Sequence, residues 1–413
     1  MKKKILIIGN DANAYALAKK MSETCDIYVT PISDALREFA QDVDIRETDA
    51  AGLLDFALEN EIDLTLIVSQ SAVNSNIAEV FNHNNIPIFG PTSASGFLMA
   101  DKAYAKKVLY KLRIPTPKFG IFEKINMAQD YIKNQKIPFV LKTNDNKSAL
   151  IFTSQLSAKN YVDKCFIEKN GKLIIEDYVY GTPFSFYTIT DGYKALPIGS
   201  SIVYKHSLEG EGGQLTSGMG ACSPNYKLSY EQEKYIMDSV IYPTLDYLEI
   251  EGNPYSGILG VSGIITEEGK ISILGWNTFL QNCDAAAILE NIDEDLYELF
   301  FACAIGSFSD EVNQIKLRDK YSVSVVLSCT NKNNKENVIS GLDNLSESTI
   351  ITMYPNLSKN KYLEWEASNG CLLGITATSS TITGAREKIY SEIDDIDFLG
   401  KFYRKDICTL PRI

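Results

Sequence analysis

An α/β protein with a parallel sheet in its first part and a strand-rich last quarter is what this 413-residue sequence predicts. Three observations point there. Short apolar runs alternate with helical stretches up to Phe89, which implies strands buried on both faces of a parallel sheet. Strand patterns dominate from Ser322 onward. Hydrophobic content of 45% and charged content of 23% are those of a packed chain, so the length suffices for two to four packed units.

In chain order, Lys4–Ile8 is a strand, and Gly9-Asn10-Asp11 turns it into a helix through Lys20. Strands at Ile27–Thr30, Leu64–Val68 and Pro87–Phe89, with helices at Gly52–Asn60 and Ile77–Asn82, complete this unit. Ligands meet such sheets at the carboxyl ends of the strands. Here those ends are Gly9-Asn10-Asp11-Ala12 and Ser69-Gln70-Ser71, which carry no lysine or arginine for an anion. GNDANA is not the G-x-G-x-x-G fingerprint, which speaks against NAD.

A helix over Ala100–Leu112 and the stiff segment Ile114-Pro115-Thr116-Pro117 lead into a small α+β piece. Its strands are Phe139–Lys142, a second running through Phe152, and Leu173–Val179. The stretch Lys205–Pro224, KHSLEGEGGQLTSGMGACSP, is polar and rich in glycine, and reads as a loop whose N–H groups can approach a phosphate. A helix over Leu228–Leu248 follows, then a strand pair, Tyr255–Ile265 and Ile271–Leu274, joined at Thr266–Lys270. After a helix at Leu296–Gly306 come the strands SVSVVLS, TIITMYP and GCLLGITA, a helix at Thr383–Ile393 and the closing FLGKFYRKDIC.

The net charge of −13 argues against nucleic acid as a partner, since phosphate backbones select basic surfaces. No run approaches the ~20 apolar residues of a membrane span. The apolar run after MKKK is too short for a secretion signal. Eight dispersed cysteines without a C-x-x-C pair, and only His83 and His206, speak against a zinc site and suit reduced thiols in the cytoplasm. His83 and His206 are both expected at the surface.

Five stretches, IDLTLIVSQSAV, IPIFGPTSASGFLMADKAYAKKVL, LRIPTPKF, TSGMGACSP and FLGKFYRKDIC, resemble in order and spacing the phosphoribosylamine–glycine ligase (glycinamide ribonucleotide synthetase) family. The resemblance implies the ATP-grasp fold. It divides the chain into an N-terminal substrate-type domain (1–100), a linker helix region (101–118), a lid (119–182), a central ATP-grasp domain (183–318) and a β-rich C-terminal domain (319–413). It also implies a purine-biosynthesis reaction with ATP and Mg²⁺ as cofactors. ATP phosphorylates glycine, and the amine of phosphoribosylamine attacks the acyl phosphate. By position, Lys102, Lys142 and Lys147 are the phosphate-facing lysines, and Glu176, Asp177 and Val179 line the adenine pocket. Gly218, Met219 and Gly220 keep the glycine-rich segment, Asn277 is a Mg²⁺ ligand, and Arg404, Lys405 and Asp406 dock the tail.

Ligand-touching positions depart from the family's pattern at three places. The metal strand, Glu-Phe-Asn-x-Arg-Phe-Gly-Asp-Pro-Glu in the family, is Gly275-Trp276-Asn277-Thr278-Phe279-Leu280-Gln281-Asn282-Cys283-Asp284 here. Asp284 would replace the lost Gly275 carboxylate only if the backbone moved. The lid stretch Thr143–Ala149 has no glycine, and the turns Gly9–Tyr15 and Ser69-Gln70-Ser71 lack the family's arginine and glutamate. Three readings follow: a divergent synthetase, an ATP-grasp ligase for another acid and amine, or a catalytically silent relative that binds a nucleotide, an amino acid or a partner.

Overall fold

The computed structural model describes residues 2–144, 149–169, 172–308, 312, 314–330 and 337–410. The N-terminal unit runs β1 (Lys3–Ile8), α1 (Ala12–Met21), β2 (Cys25–Thr30), β3 (Ala40–Asp42), α2 (Ala50–Glu59), β4 (Leu64–Ile67), α3 (Gln70–Val73), α4 (Ile77–His83) and β5 (Ile88–Phe89). Its strands are parallel in the order β3-β2-β1-β4-β5. Helices cover both faces, which is why Ile5, Leu6, Ile7 and Ile8 are all buried. The order reverses between β1 and β4, and this is where such a sheet opens a crevice at its carboxyl end.

The helix expected over Ala100–Leu112 is the second of two, α5 (Ser93–Ala100) and α6 (Lys102–Lys111). Asp101 separates them in an extended conformation and caps α6, its carboxylate accepting from Tyr104 N at 2.7 Å. The lid follows with β6 (Phe119–Phe122), α7 (Ile125–Lys133), β7 (Phe139–Thr143), β8 (Leu150–Phe152), α8 (Gln155–Lys169) and β9 (Leu173–Asp177). Its antiparallel sheet has the order β6-β9-β7-β8.

Beyond the lid lie β10 (Thr182–Thr190), β11 (Ala195–Leu208), β12 (Gly212–Ser223), α9 (Tyr230–Ile236), α10 (Tyr242–Ile250), β13 (Gly257–Ile265), β14 (Ile271–Asn277), α11 (Ala285–Leu289) and α12 (Leu296–Ala304). A π-helical turn, Met237–Ile241, joins α9 to α10 where one helix is expected. The chain then forms β15 (Tyr321–Cys329), β16 (Ile350–Met353), β17 (Ser358–Lys359), β18 (Trp365–Glu366), β19 (Gly370–Ser379), α13 (Ile382–Asp395) and β20 (Lys401–Phe402). One sheet runs β14-β13-β10-β11-β12-β15-β19-β16, with β20 also on β15. Strand pairing between β12 and β15 therefore carries hydrogen bonds across the boundary expected between 318 and 319.

The glycine-rich stretch Lys205–Pro224 is a correction to the expected loop: it is the end of β11, a tight turn and β12. Its glycines serve strand packing. Gly220 has φ +157, and a Cβ there would lie 2.5 Å from Ser324 O on β15. The strands β10 and β11 themselves go beyond the elements expected. Their signal was present in TPFSFYTIT, where Phe184 and Phe186 alternate with Ser185 and Tyr187.

Candidate functional site

The lid meets the core at a buried charge cluster. Glu176 lies near the end of β9, where its carboxylate takes Lys106 Nζ at 2.7 Å and also pairs with Lys142 Nζ from β7. Lys106 further donates to Thr116 Oγ1 at 2.8 Å. Burial pushes Lys106 down to about 8, with Glu176 resisting the fall. Burial alone would raise Glu176, but the two ammonium groups outweigh it and hold its carboxyl below the ordinary range. Two cations around one anion leave a surplus positive charge at neutral pH. The Lys142 side chain is 13% exposed while those of Lys106 and Glu176 are each 2% exposed. Lys142 is therefore where an incoming anion would meet that charge.

The other expected ATP residues fare differently. Lys102 opens α6. The N–H groups after it are already used: Ala103 N donates to Asn144 Oδ1 at 2.9 Å, and Tyr104 N to Asp101. The carboxylate of Asp177 takes Gln135 Nε2 within the lid. Val179 is half-buried in the irregular connection from β9 to β10. Lys147 lies outside the described residues. In β12, Met219 is buried, and a side chain on Gly218 would run into the Cys283 thiol, so both positions pack the sheet. His206 corrects the surface expectation: it is 8% exposed, and its carbonyl accepts from Arg404 Nη1 at 3.0 Å. Arg404 also pairs with Glu211 and Asp406, each at 2.7 Å, and so docks the tail on the β11–β12 turn.

The donor set around Asn277 can be tested against Mg²⁺. Asn277 ends β14, and its Nδ2 donates to Ser262 Oγ at 2.9 Å, leaving one carboxamide oxygen. Gly275 lies two residues earlier on the same face, where a Cβ would meet nothing within 4 Å. Space for a side chain is there, but no carboxylate fills it. Asp284 does not substitute. It is fully buried, accepts from Tyr187 Oη at 3.2 and 3.1 Å and from Ser201 Oγ at 2.8 Å, and burial pushes it up to about 6. No cluster of three or more His, Cys, Asp or Glu among the described residues could hold a metal ion. Mg²⁺ demands near-octahedral oxygen ligation anchored by carboxylates, so these residues do not fit it.

The crevice between β1 and β4 is acidic. Glu47 accepts from Ser69 Oγ at 2.9 Å and Ser71 Oγ at 2.5 Å, just after β4. Asp11, which follows β1, is raised by burial and then by the charge of Glu47, against a hydrogen bond from Asn282. Phe279 is 9% exposed and lines a small apolar void with Phe89 and Phe300 between the N-terminal and central sheets.

Lys106, Glu47, Tyr187 and Ser201 escaped the sequence reading. Lys106 had a signal, since a helical period places it beside Ala105 and Leu109 on the buried face of α6. The others become neighbours only through long-range contacts.

A lid sheet joined by a short connection to a larger antiparallel sheet, and tied to helix α6 by a buried lysine–glutamate cluster, defines an ATP-grasp protein. The family model described as "Phosphoribosylglycinamide synthetase, ATP-grasp (A) domain" matches residues 100–285, and that of the corresponding N domain matches residues 3–98. The chain belongs to the phosphoribosylamine–glycine ligase (phosphoribosylglycinamide synthetase) family. It is 29% identical to the phosphoribosylamine–glycine ligase of Yersinia pestis over 98% of this chain and 97% of that protein. Identity to the Caldanaerobacter subterraneus subsp. tengcongensis ligase is 27%, covering 98% of this chain and 99% of the relative. Among solved structures, the Thermotoga maritima phosphoribosylamine–glycine ligase superposes with a TM-score of 0.81 at 21% identity, over 98% of this chain and all (100%) of that one. The biotin carboxylase domain of Hydrogenobacter thermophilus 2-oxoglutarate carboxylase, solved with MgADP, ADP and bicarbonate, gives 0.71 at 16% identity over 97% and 92%. No helix among the described residues is long and apolar enough to cross a membrane.

Proposed function

We propose that this member of the purine-biosynthetic ligase lineage is a cytoplasmic ligand-binding protein that does not join glycine to phosphoribosylamine. The observation that carries the reading is the metal strand. Gly275 leaves a side-chain space without a carboxylate, while Tyr187 and Ser201 occupy Asp284, the acid that closes the same stretch of sequence. Without Mg²⁺, the charge that moves through a triphosphate has no hard cation to meet it. Losing even one preorganised electrostatic contact costs about 10²–10³ in rate. The acidic crevice beside Glu47 adds a charge penalty for a ribose phosphate.

Adenine-nucleotide binding is a separate matter. Lys142, with its surplus charge and access to solvent, supports a nucleotide contact that needs no metal. The alternative of a ligase for another acid and amine rests on that same lysine.

The test is phosphate release from ATP with glycine and phosphoribosylamine, with and without Mg²⁺, beside the melting temperature in ATP alone. No Mg²⁺-dependent release and no Mg²⁺-dependent increment in the ATP shift are expected. Glycine-dependent release at an enzyme's rate would overturn the proposal. Release with some other amine would move the protein to the alternative.

A further inference from the structure

A cleft of about 410 Å³ lies where the N-terminal unit, the α5–α6 junction and the end of β7 meet. That volume is in the range of small-molecule sites. It is lined by Asn74, Asn76, Ser93, Phe97, Asp101 and Asn144, with Ala100. We infer that this cleft binds an uncharged polyhydroxylated ligand, of the class of a free sugar, and turns away phosphate esters.

The chemistry of the wall carries the inference. Asn74 Oδ1 accepts from Gln70 and Asn144 Oδ1 from Ala103 N, so each presents its NH₂ as a donor. Asn76 does not cap α4 with its side chain, so its carboxamide is left to donate and accept. Ser93 Oγ donates to Glu79 Oε1 at 2.6 Å and keeps its lone pairs for a ligand hydroxyl. Phe97 is 49% exposed and offers a ring to the apolar face of a sugar. Donors, acceptors and one aromatic wall match alternating hydroxyl and C–H groups.

An anion meets the opposite conditions. The N-terminal N–H groups of α6 are the natural grip for a phosphate, and Asn144 and Asp101 already hold two of them. Asp101 lines the cleft with a negative charge. Behind Ser93, Glu79 keeps a buried carboxylate oxygen without a hydrogen-bond partner.

The inference goes beyond the reading above, and its test uses neither ATP nor Mg²⁺. D-ribose, D-ribose 5-phosphate and methyl D-ribofuranoside, an uncharged sugar held like the phosphate ester in the furanose ring, are titrated against the full chain by calorimetry or ligand-observed NMR. D-ribose and the furanoside are each expected to bind at least tenfold more tightly than the 5-phosphate. Asn76→Ala, at an exposed position, and Phe97→Ala should each weaken ribose by about five- to tenfold. Asp101→Asn keeps a capping oxygen and should narrow the discrimination by about tenfold. Equal or tighter binding of the phosphate ester, no binding of ribose, or variants that bind ribose as the parent does would each overturn the inference.

Discussion

Replacing Asp284 by Asn should change how stability depends on pH, and the size of the change follows from the burial of this carboxyl. In the folded chain Asp284 titrates at about 6, against an ordinary value of 3.8. Its folded form holds a proton more tightly than its unfolded form, so the contribution is greatest below about pH 4 and is lost as pH rises through about 6. A rise of roughly two units corresponds to about 3 kcal/mol, with no discount for solvent because the group is fully buried. Asn keeps the shape and can still accept from Ser201 or donate to Tyr187 Oη, so the fold should survive. At pH 7 the variant should gain about 3 kcal/mol relative to the parent, compared with the same difference at pH 4. With an unfolding entropy near 2.1 cal/mol/K per residue, that is about 3–4 °C in melting temperature. Melting curves of both proteins between pH 4 and 8 would show it. Parallel curves would refute the reasoning, because they would mean that Asp284 is not ionised against a penalty.

Two further outcomes follow from the packing. Glu176→Gln strands two ammonium groups, of which Lys106 is buried, and should cost about 3–5 kcal/mol in urea unfolding. The loss should shrink as pH rises towards 8 and level off above it, because without Glu176 the Lys106 ammonium sheds its proton at a lower pH than in the parent; a pH-independent loss would contradict the cluster. Gly220→Ala places a methyl against Ser324 O at φ +157 and should cost more than about 2 kcal/mol, whereas Gly275→Ala meets open space and should stay within about 1 kcal/mol. Equal costs for the two would remove the distinction between a packing glycine and a vacated side-chain position.

The N-terminal sheet, the lid strands and the C-terminal strands were legible because they announce themselves locally. Runs such as Lys4–Ile8 and Leu64–Val68 are short, largely apolar and closed by turn residues, which reads as strands covered on both faces. The resemblance to the ligase family rested on short stretches, and the family models and full-length relatives bear it out. The change from glutamate to Gly275 could be seen there too. What composition misjudged was Lys205–Pro224. Glycine suits a loop, but it equally suits a strand pressed against a neighbour, and only β15 and Cys283 decide between them.

By itself the sequence determined the family, most of the elements in their order and the positions where its residues differ from the family's pattern, since each is a property of neighbouring residues. Tertiary structure alone decided that Asp284 is held by Tyr187 and Ser201, that Lys106 and Lys142 share Glu176, and that the carboxamides of Asn74, Asn76 and Asn144 line one cleft. Those facts join residues far apart in the chain. No local pattern records such contacts, because burial and charge pairing arise only when the sheets close on one another.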